Sequence, residues 1–303
     1  MLIRLGKSLL YYGFRQAYGV CRLLSSMLAI VPTKADHPDL VVVLPRHAQA
    51  WILERMCNEI TALMSGSVIY HERVTRLPRA RKYFFPHYSL YVQALKLNPV
   101  LWLGERYVYY THPKDIGVKE DDWVYAFNHA TQIISGCEMF ADYLKRKGVA
   151  GHIVSNVIGA GYVVGAISPH ERGGGVVGLS SAYYPRKNPQ LVADLVSFMP
   201  HRKFILLGKG WECWDGFAEL NAKPNFEYLQ LPYESYPAFY SLMDVFLSPS
   251  ILEGGPVPLL EAMVCNIVPV ASETGFATEL IRHGDNGFLF RVNAGAGEVA
   301  ELI

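Results

Sequence analysis

Two glutamates, Glu253 and Glu261, stand in the stretch SPSILEGGPVPLLEAMVCNIVPVA, with Gly254 and Gly255 directly behind the first carboxylate and an apolar LLEAM run carrying the second. Glycines without a Cβ let a ligand approach the backbone closely. The run from about Val257 to Val264 predicts a short helix, whose first turn exposes unpaired N–H groups and a partial positive charge. Such a terminus suits a phosphate, and carboxylates accept hydrogen bonds from hydroxyl groups. Phosphate together with many hydroxyls describes a nucleotide sugar. Read alone, the same residues also suit a helix cap and a solvated helical face.

The elements that must position them follow from the hydrophobic pattern. MDVFLSPS, just upstream, is apolar until Pro249 and Ser250, a strand running into a loop. The segment before it repeats one pattern: GVVGLSS strand, Pro189 to Phe198 helix, KFILLGKG strand, Trp211 to Leu220 irregular or helical, FEYLQLP strand, Ser235 to Met243 helix. In parallel α/β sheets ligands bind outside the carboxyl ends of the strands, where Glu253, Gly208 and the Pro185-Arg186-Lys187 loop would all lie.

The first half carries a similar alternation. DLVVVLP reads as a buried strand, and Ala48 to Met64 as a helix with Trp51, Ile52, Met56, Ile60 and Leu63 inward. SVIYHERV is a second strand, followed by the basic run Arg73, Arg76, Arg79, Arg81 and Lys82. KYFFPHYSLYVQALKL reads as a strand, a turn at Pro86-His87 and a helix. RYVYYTHPKD is a strand ending at His112, with Asp121-Asp122 in a loop beyond it. TQIISGC, EMFADYLKRKG and HIVSNVIG complete a strand-helix-strand unit. Gly159 to Gly175 is rich in glycine and reads as a linker, as does Pro32 to Pro38. Two consecutive series of this kind imply an α/β fold of two Rossmann-like, doubly wound domains facing a cleft.

Composition bounds the function. At 303 residues, with 51% hydrophobic and 18% charged residues, the chain can bury one large or two modest cores and is not disordered. A net charge of +1 argues against a general polyanion binder, so no nucleic-acid partner is expected. The five cysteines are scattered without CxxC spacing, which indicates neither a disulfide framework nor a zinc site and fits a reducing compartment.

Residues 1–33 read as a basic amphipathic helix. Arg4, Arg15 and Arg22 fall within about 20° of one another at about 100° per residue, with Lys7 about 60° away. The remaining surface is largely leucine, isoleucine, valine, phenylalanine and methionine, so the segment suits an anionic membrane surface, or equally a helix packed on its own domain. No uncharged run reaches the roughly 18 residues needed to span a bilayer, and the pattern does not resemble a secretory signal.

Taken together, strand-GLSS, the Lys187-bearing loop, FILLGKG, LPYESYPAFYSLMDVFLSPS, EGGPVPLLEAM, VPVASETGFATELI and HGDNGFLF resemble, in order, the retaining glycosyltransferases of family 4. The resemblance covers about residues 105 to 290 and implies the GT-B architecture. With the basic helix read over 1–33, the chain then divides into an acceptor-side Rossmann-like domain over 34–165 and a nucleotide-sugar-binding one over 166–303, the roles being what the resemblance implies. By the same resemblance Glu253 would hold hydroxyls of the donor sugar and Glu261 those of the ribose. Backbone groups around Gly254, Gly255, Pro256 and Val257 would meet sugar and pyrophosphate. Arg186 and Lys187 would stabilise the departing diphosphate. His112, in THPKD, matches the family's histidine loop facing the reacting sugar, and His87 is a weaker candidate. One departure is notable: the family's Gly-Arg after the first strand of this domain is Gly178-Leu179 here, and Arg186 would have to replace that arginine. The turn after the first strand lacks the glycine-rich sequence of many relatives, leaving Arg46 as a substitute.

The implied activity is a retaining, metal-independent hexosyltransferase of glycan biosynthesis. It uses a UDP-, GDP- or ADP-sugar as donor, no cofactor, and a glycan or lipid-linked acceptor. The expected location is the cytoplasm with peripheral membrane contact. Two alternatives stay open: a nucleotide-sugar-binding protein of GT-B type without turnover, which the Gly178-Leu179 departure and the early stop of GEVAELI would suit, and a GT-B-like epimerase or phosphorylase.

Overall fold

The computed structural model describes residues 16–27, 37–44, 52–114, 117–155 and 175–303. Contacts divide the chain into two units, Met1–Asn156 and Val157–Ile303. Arg46, Trp51, the expected 165/166 boundary, nearly all of the 159–175 linker and most of the 32–38 linker lie outside the described residues.

In the first unit, helix α1 (residues 16–27) precedes β1 (Leu40–Val43), α2 (Ile52–Ala62), β2 (Val68–His71), β3 (Lys82–Phe85), α3 (Tyr88–Leu95), β4 (Glu105–Tyr110), α4 (Glu120–Phe127), β5 (Gln132–Ser135), α5 (Glu138–Arg146) and β6 (Ile153–Ser155). The strands form one parallel sheet in the order β2-β1-β3-β4-β5-β6. All four residues of β1 are buried, as expected of a parallel strand covered on both faces. Gly148, at φ +86, closes α5 in the left-handed conformation that ends many helices.

Three expectations are corrected. β4 stops at Tyr110 rather than His112, because its partner β5 ends opposite it at Ser135 and no ladder continues. Asp121 and Asp122 belong to the first turn of α4 rather than a loop, where carboxylates favour the positive end of the helix dipole. On α2, Met56 is buried together with Cys57, whereas Ile60 is exposed and Leu63 lies beyond the helix end with 90% of its surface in solvent.

The second unit contains β7 (Val177–Ser180), α6 (Pro189–Phe198), β8 (Phe204–Leu207), α7 (Phe217–Asn221), β9 (Phe226–Leu229), α8 (Tyr236–Tyr240), β10 (Val245–Ser248), α9 (Val257–Val264), β11 (Val268–Ser272), α10 (Ala277–Leu280), β12 (Phe288–Phe290) and α11 (Ala296–Ala300). Its parallel sheet has the order β12-β11-β10-β7-β8-β9. A core of Val177, Leu179, Leu195, Phe204, Leu206 and Leu247 joins strands to α6, and Val299 of α11 packs into the same cluster. The strand order reverses between β7 and β10, so the chain leaves these neighbours toward opposite sides of the sheet. A crevice opens at their carboxyl ends. Among the described residues no helix is long and apolar enough to cross a membrane.

Candidate functional site

The loops that follow β7 and β10 meet at this switch point. The first descends through a 3-10 turn, Pro185–Lys187, into α6, and the second reaches α9 through Pro256. The Ile251 N–H donates to the Arg186 carbonyl at 2.8 Å and ties the two loops together. Between them lies a depression lined by Ser180, Ser181 and Lys187 on one side and by Ser248, Pro249 and Ser250 on the other, with Pro256 and Pro258 at the start of α9.

Glu253, Arg186 and Lys187 form one buried ion cluster beside this depression. The glutamate is only 6% exposed. Arg186 Nη1 donates to its Oε1 at 2.6 Å and to the Leu252 carbonyl at 2.9 Å, and Lys187 Nζ donates to the same Oε1. Burial pushes the Glu253 carboxyl up, but Lys187 and Arg186 together outweigh it and hold the group below the usual carboxylate range. Burial lowers the Lys187 ammonium; Glu253 opposes that shift and the neighbouring Arg186 reinforces it. The cluster is thus a carboxylate with two cations crowded on one oxygen.

The loop after β11 holds Glu253 in place. The Glu253 N–H donates to Thr274 Oγ1 at 3.1 Å, and the Phe276 N–H to the Gly254 carbonyl at 3.1 Å. Gly275, at φ +59, has no room for a side chain: a Cβ there would stand 2.5 Å from the Glu253 carbonyl and 2.6 Å from that of Gly254. Thr274 and Gly275 stand in the VPVASETGFATELI motif, but nothing in that pattern assigns them to the support of Glu253.

Glu261 sits inside α9, 2% exposed. Its carboxylate accepts from the Tyr233 hydroxyl at 3.0 Å and the Tyr240 hydroxyl at 2.7 Å. These two hydroxyls orient the carboxylate. Neither tyrosine was singled out in the sequence. The residue at the N-terminal boundary of α9 is Pro256, and no side chain caps the helix. Glu253 is therefore not a cap and Glu261 not on a solvated face, which removes the alternative reading of the pair. Gly254 and Pro256 are buried and Gly255 and Val257 half-buried at the head of the helix.

The other expected residues are placed differently. Gly208 follows β8, where a Cβ would approach the Ser181 carbonyl to 1.9 Å; close packing of the two strand ends already requires glycine there. Leu179, where the sequence resemblance led one to look for an arginine, is buried in the core. His112 lies in the first unit, half-buried and two residues beyond β4. His87 caps α3, its Nδ1 accepting from the Ser89 N–H at 3.3 Å while its ring stacks on Tyr88. Burial, aided by Lys114, lowers its pKa to about 4, so the ring is neutral near pH 7. Among the described residues no group of three or more His, Cys, Asp or Glu could hold a metal ion.

Residues 169–303 match the family model described as glycosyl transferases group 1. No curated protein matches the chain. Among solved structures, HepE of Anabaena in complex with UDP and glucose is similar at a TM-score of 0.65 and 15% identity, over 86% of this chain and 88% of that one. A glycosyltransferase from Rickettsia africae ESF-5 is similar at 0.63 and 12%, over 88% and 87%. Sucrose-phosphate synthase from Thermosynechococcus elongatus is similar at 0.59 and 17%, over 74% and 63%. These likenesses show the fold, a two-domain α/β architecture of the GT-B type.

Proposed function

We propose that this chain, whose residues 169–303 match the family model of glycosyl transferases group 1, moves a hexose from a nucleoside diphosphate sugar to an acceptor hydroxyl with retention at the anomeric carbon. The observation that carries the reading is the buried cluster of Glu253, Arg186 and Lys187 at the β7/β10 switch point, with Glu261 oriented nearby by two tyrosines. The HepE complex with UDP and glucose supports the donor class.

In this reading the donor exchanges partners with the cluster. Its diphosphate draws Arg186 and Lys187, and its sugar hydroxyls take their place on Glu253. Glu261 accepts from the ribose hydroxyls, while backbone N–H groups of Gly254, Gly255 and Val257 meet sugar and pyrophosphate. Negative charge grows on the leaving diphosphate as the glycosidic bond breaks, so cations fixed beforehand stabilise the transition state more than the ground state. Catalysis rests on this and on positioning, without a metal. His112 supplies a hydrogen bond to donor or acceptor, the acceptor is a glycan or lipid-linked glycan, and the five cysteines, all free thiols, fit a cytoplasmic site.

One observation favours a second reading, a binder of nucleotide sugars without turnover: Leu179 is buried where the family carries a cation. A thermal-shift panel of UDP-, GDP- and ADP-sugars tests the shared premise, since a ligand that binds the native state raises its melting temperature. One base class should shift the wild type and leave Glu261→Ala unmoved. No shift with any sugar nucleotide, or equal shifts in both proteins, would overturn it. Donor hydrolysis above the protein-free rate would exclude the pure binder.

A further inference from the structure

A second cavity, of about 300 Å³ and partly open to solvent, lies in the first unit. Its buried floor is Tyr88, the first residue of α3, and Tyr110, the last of β4, at the carboxyl edge of the parallel sheet where α/β proteins hold ligands. Trp123 of α4 and Tyr143 of α5 line it half-buried, and Lys114 and Glu120 are the exposed charged groups of the lining. These rings are held in place. The Tyr88 hydroxyl donates to the Lys114 carbonyl at 3.0 Å, and the Tyr88 ring lies 4.9 Å from that of Tyr110. Phe127 packs edge-on against Tyr88, Tyr110 and Trp123 at 5.9, 5.8 and 5.4 Å. Lys147 Nζ stands 5.6 Å from the centre of the Tyr143 ring and donates to Glu120 at 2.7 Å, tying the end of α5 to the start of α4. Close packing leaves few voids larger than a water molecule. Here locked rings keep one open, so a guest has little ordering left to do on binding.

The lining selects the guest. A cavity at the lower end of the about 300–1,000 Å³ of ligand pockets, lined by four aromatic side chains, suits one ring rather than a long chain. A wholly apolar ring would strip water from Glu120 and Lys114 without replacing those hydrogen bonds, which is costly. A ring with apolar C–H faces and hydroxyl groups around its rim meets both demands. Its weakly positive C–H face lies against the negative faces of the aromatic rings, while its hydroxyls donate to the Glu120 carboxylate and accept from the Lys114 ammonium. That ring is a pyranose.

We propose that Tyr88, Tyr110, Trp123 and Tyr143, with Glu120 and Lys114, form a binding site for one hexopyranose ring in the first unit. The site uses none of the residues assigned to the donor and does not rest on the transferase reading.

The test is saturation-transfer NMR on the full chain with the methyl α-glycosides of glucose, galactose, mannose and N-acetylglucosamine. Cyclohexanol, a six-membered ring with one hydroxyl, is the control. At least one glycoside should bind wild type, and cyclohexanol should not. Trp123→Leu removes an aromatic face but stays apolar, and should lose about tenfold or more in affinity. Trp123→Phe restores a face and should recover most of it. Glu120→Gln should weaken binding severalfold; its side chain is 52% exposed and its surface ion pair contributes little to stability, so it keeps the test decisive if Trp123→Leu does not fold. Circular dichroism melts check the folding of all three variants. No glycoside bound by wild type, binding unchanged in Trp123→Leu and Glu120→Gln, or cyclohexanol bound as well as the best glycoside would overturn the proposal. Binding that survives Trp123→Leu but is lost in Glu261→Ala would overturn it by placing the sugar at the donor site. A sugar-nucleotide thermal shift on the same proteins, which Trp123→Leu should leave intact, keeps these outcomes separate from the transferase reading.

Discussion

Glu253 carries more charge contact than a surface glutamate needs, and its replacement should be expensive. Its side chain is 7% exposed, and those of Arg186 and Lys187 are 26% and 15% exposed. Glu253→Ala leaves two largely buried cations without their carboxylate, and breaking such a pair typically costs about 3 kcal/mol or more. The urea midpoint should fall accordingly; an unchanged midpoint would contradict the ion cluster. The pH dependence has a definite sign. Because the two cations outweigh burial and lower the folded pKa, the stabilisation is fully present above the unfolded value of about 4.3. It is lost as pH falls through the folded value. Wild type should therefore lose stability more steeply than Glu253→Ala on acidification below about pH 4. The carboxylate pair itself was legible in the sequence, whereas the cluster was not. Arg186 and Lys187 are 67 and 66 residues from Glu253 in the chain. The pattern places both loops at strand ends without showing that they touch, and it gives no sign of Tyr233 and Tyr240 on Glu261.

At the scale of elements, the loop after β11 acts as a brace for the loop after β10. Gly275→Ala would force a Cβ into the Glu253 and Gly254 carbonyls at a positive φ. It should lower stability by about 1–3 kcal/mol and also weaken the sugar-nucleotide thermal shift. Gly284 is the control: its φ is +80 but a Cβ there meets nothing within 4 Å, so Gly284→Ala should leave the shift intact. Equal effects of the two substitutions on binding would refute the brace. Elements closed by proline and apolar periodicity, such as Pro189–Phe198 and Val257–Val264, were readable to their ends. Strand ends were not, because they depend on how far a partner runs. Asp121 and Asp122 looked like a loop because acidic residues suit both a turn and the first turn of a helix.

For the whole molecule, the alternation of short apolar strands with helices was enough to read two doubly wound sheets. Strand order was beyond reach, since a parallel strand can join either side of its predecessor. That order matters: placing β10 beside β7, rather than beside β9, brings the cationic loop to the carboxylate. The account's central claim is that this switch-point site breaks the donor's sugar-diphosphate bond with Lys187 as one of its cations. The direct measurement is nucleoside diphosphate release from UDP-, GDP- and ADP-sugars by wild type and Lys187→Ala. The account predicts release above the protein-free rate with one base class, and a fall of about a hundredfold in the variant. No release with any donor, or release by Lys187→Ala at the wild-type rate, would contradict it.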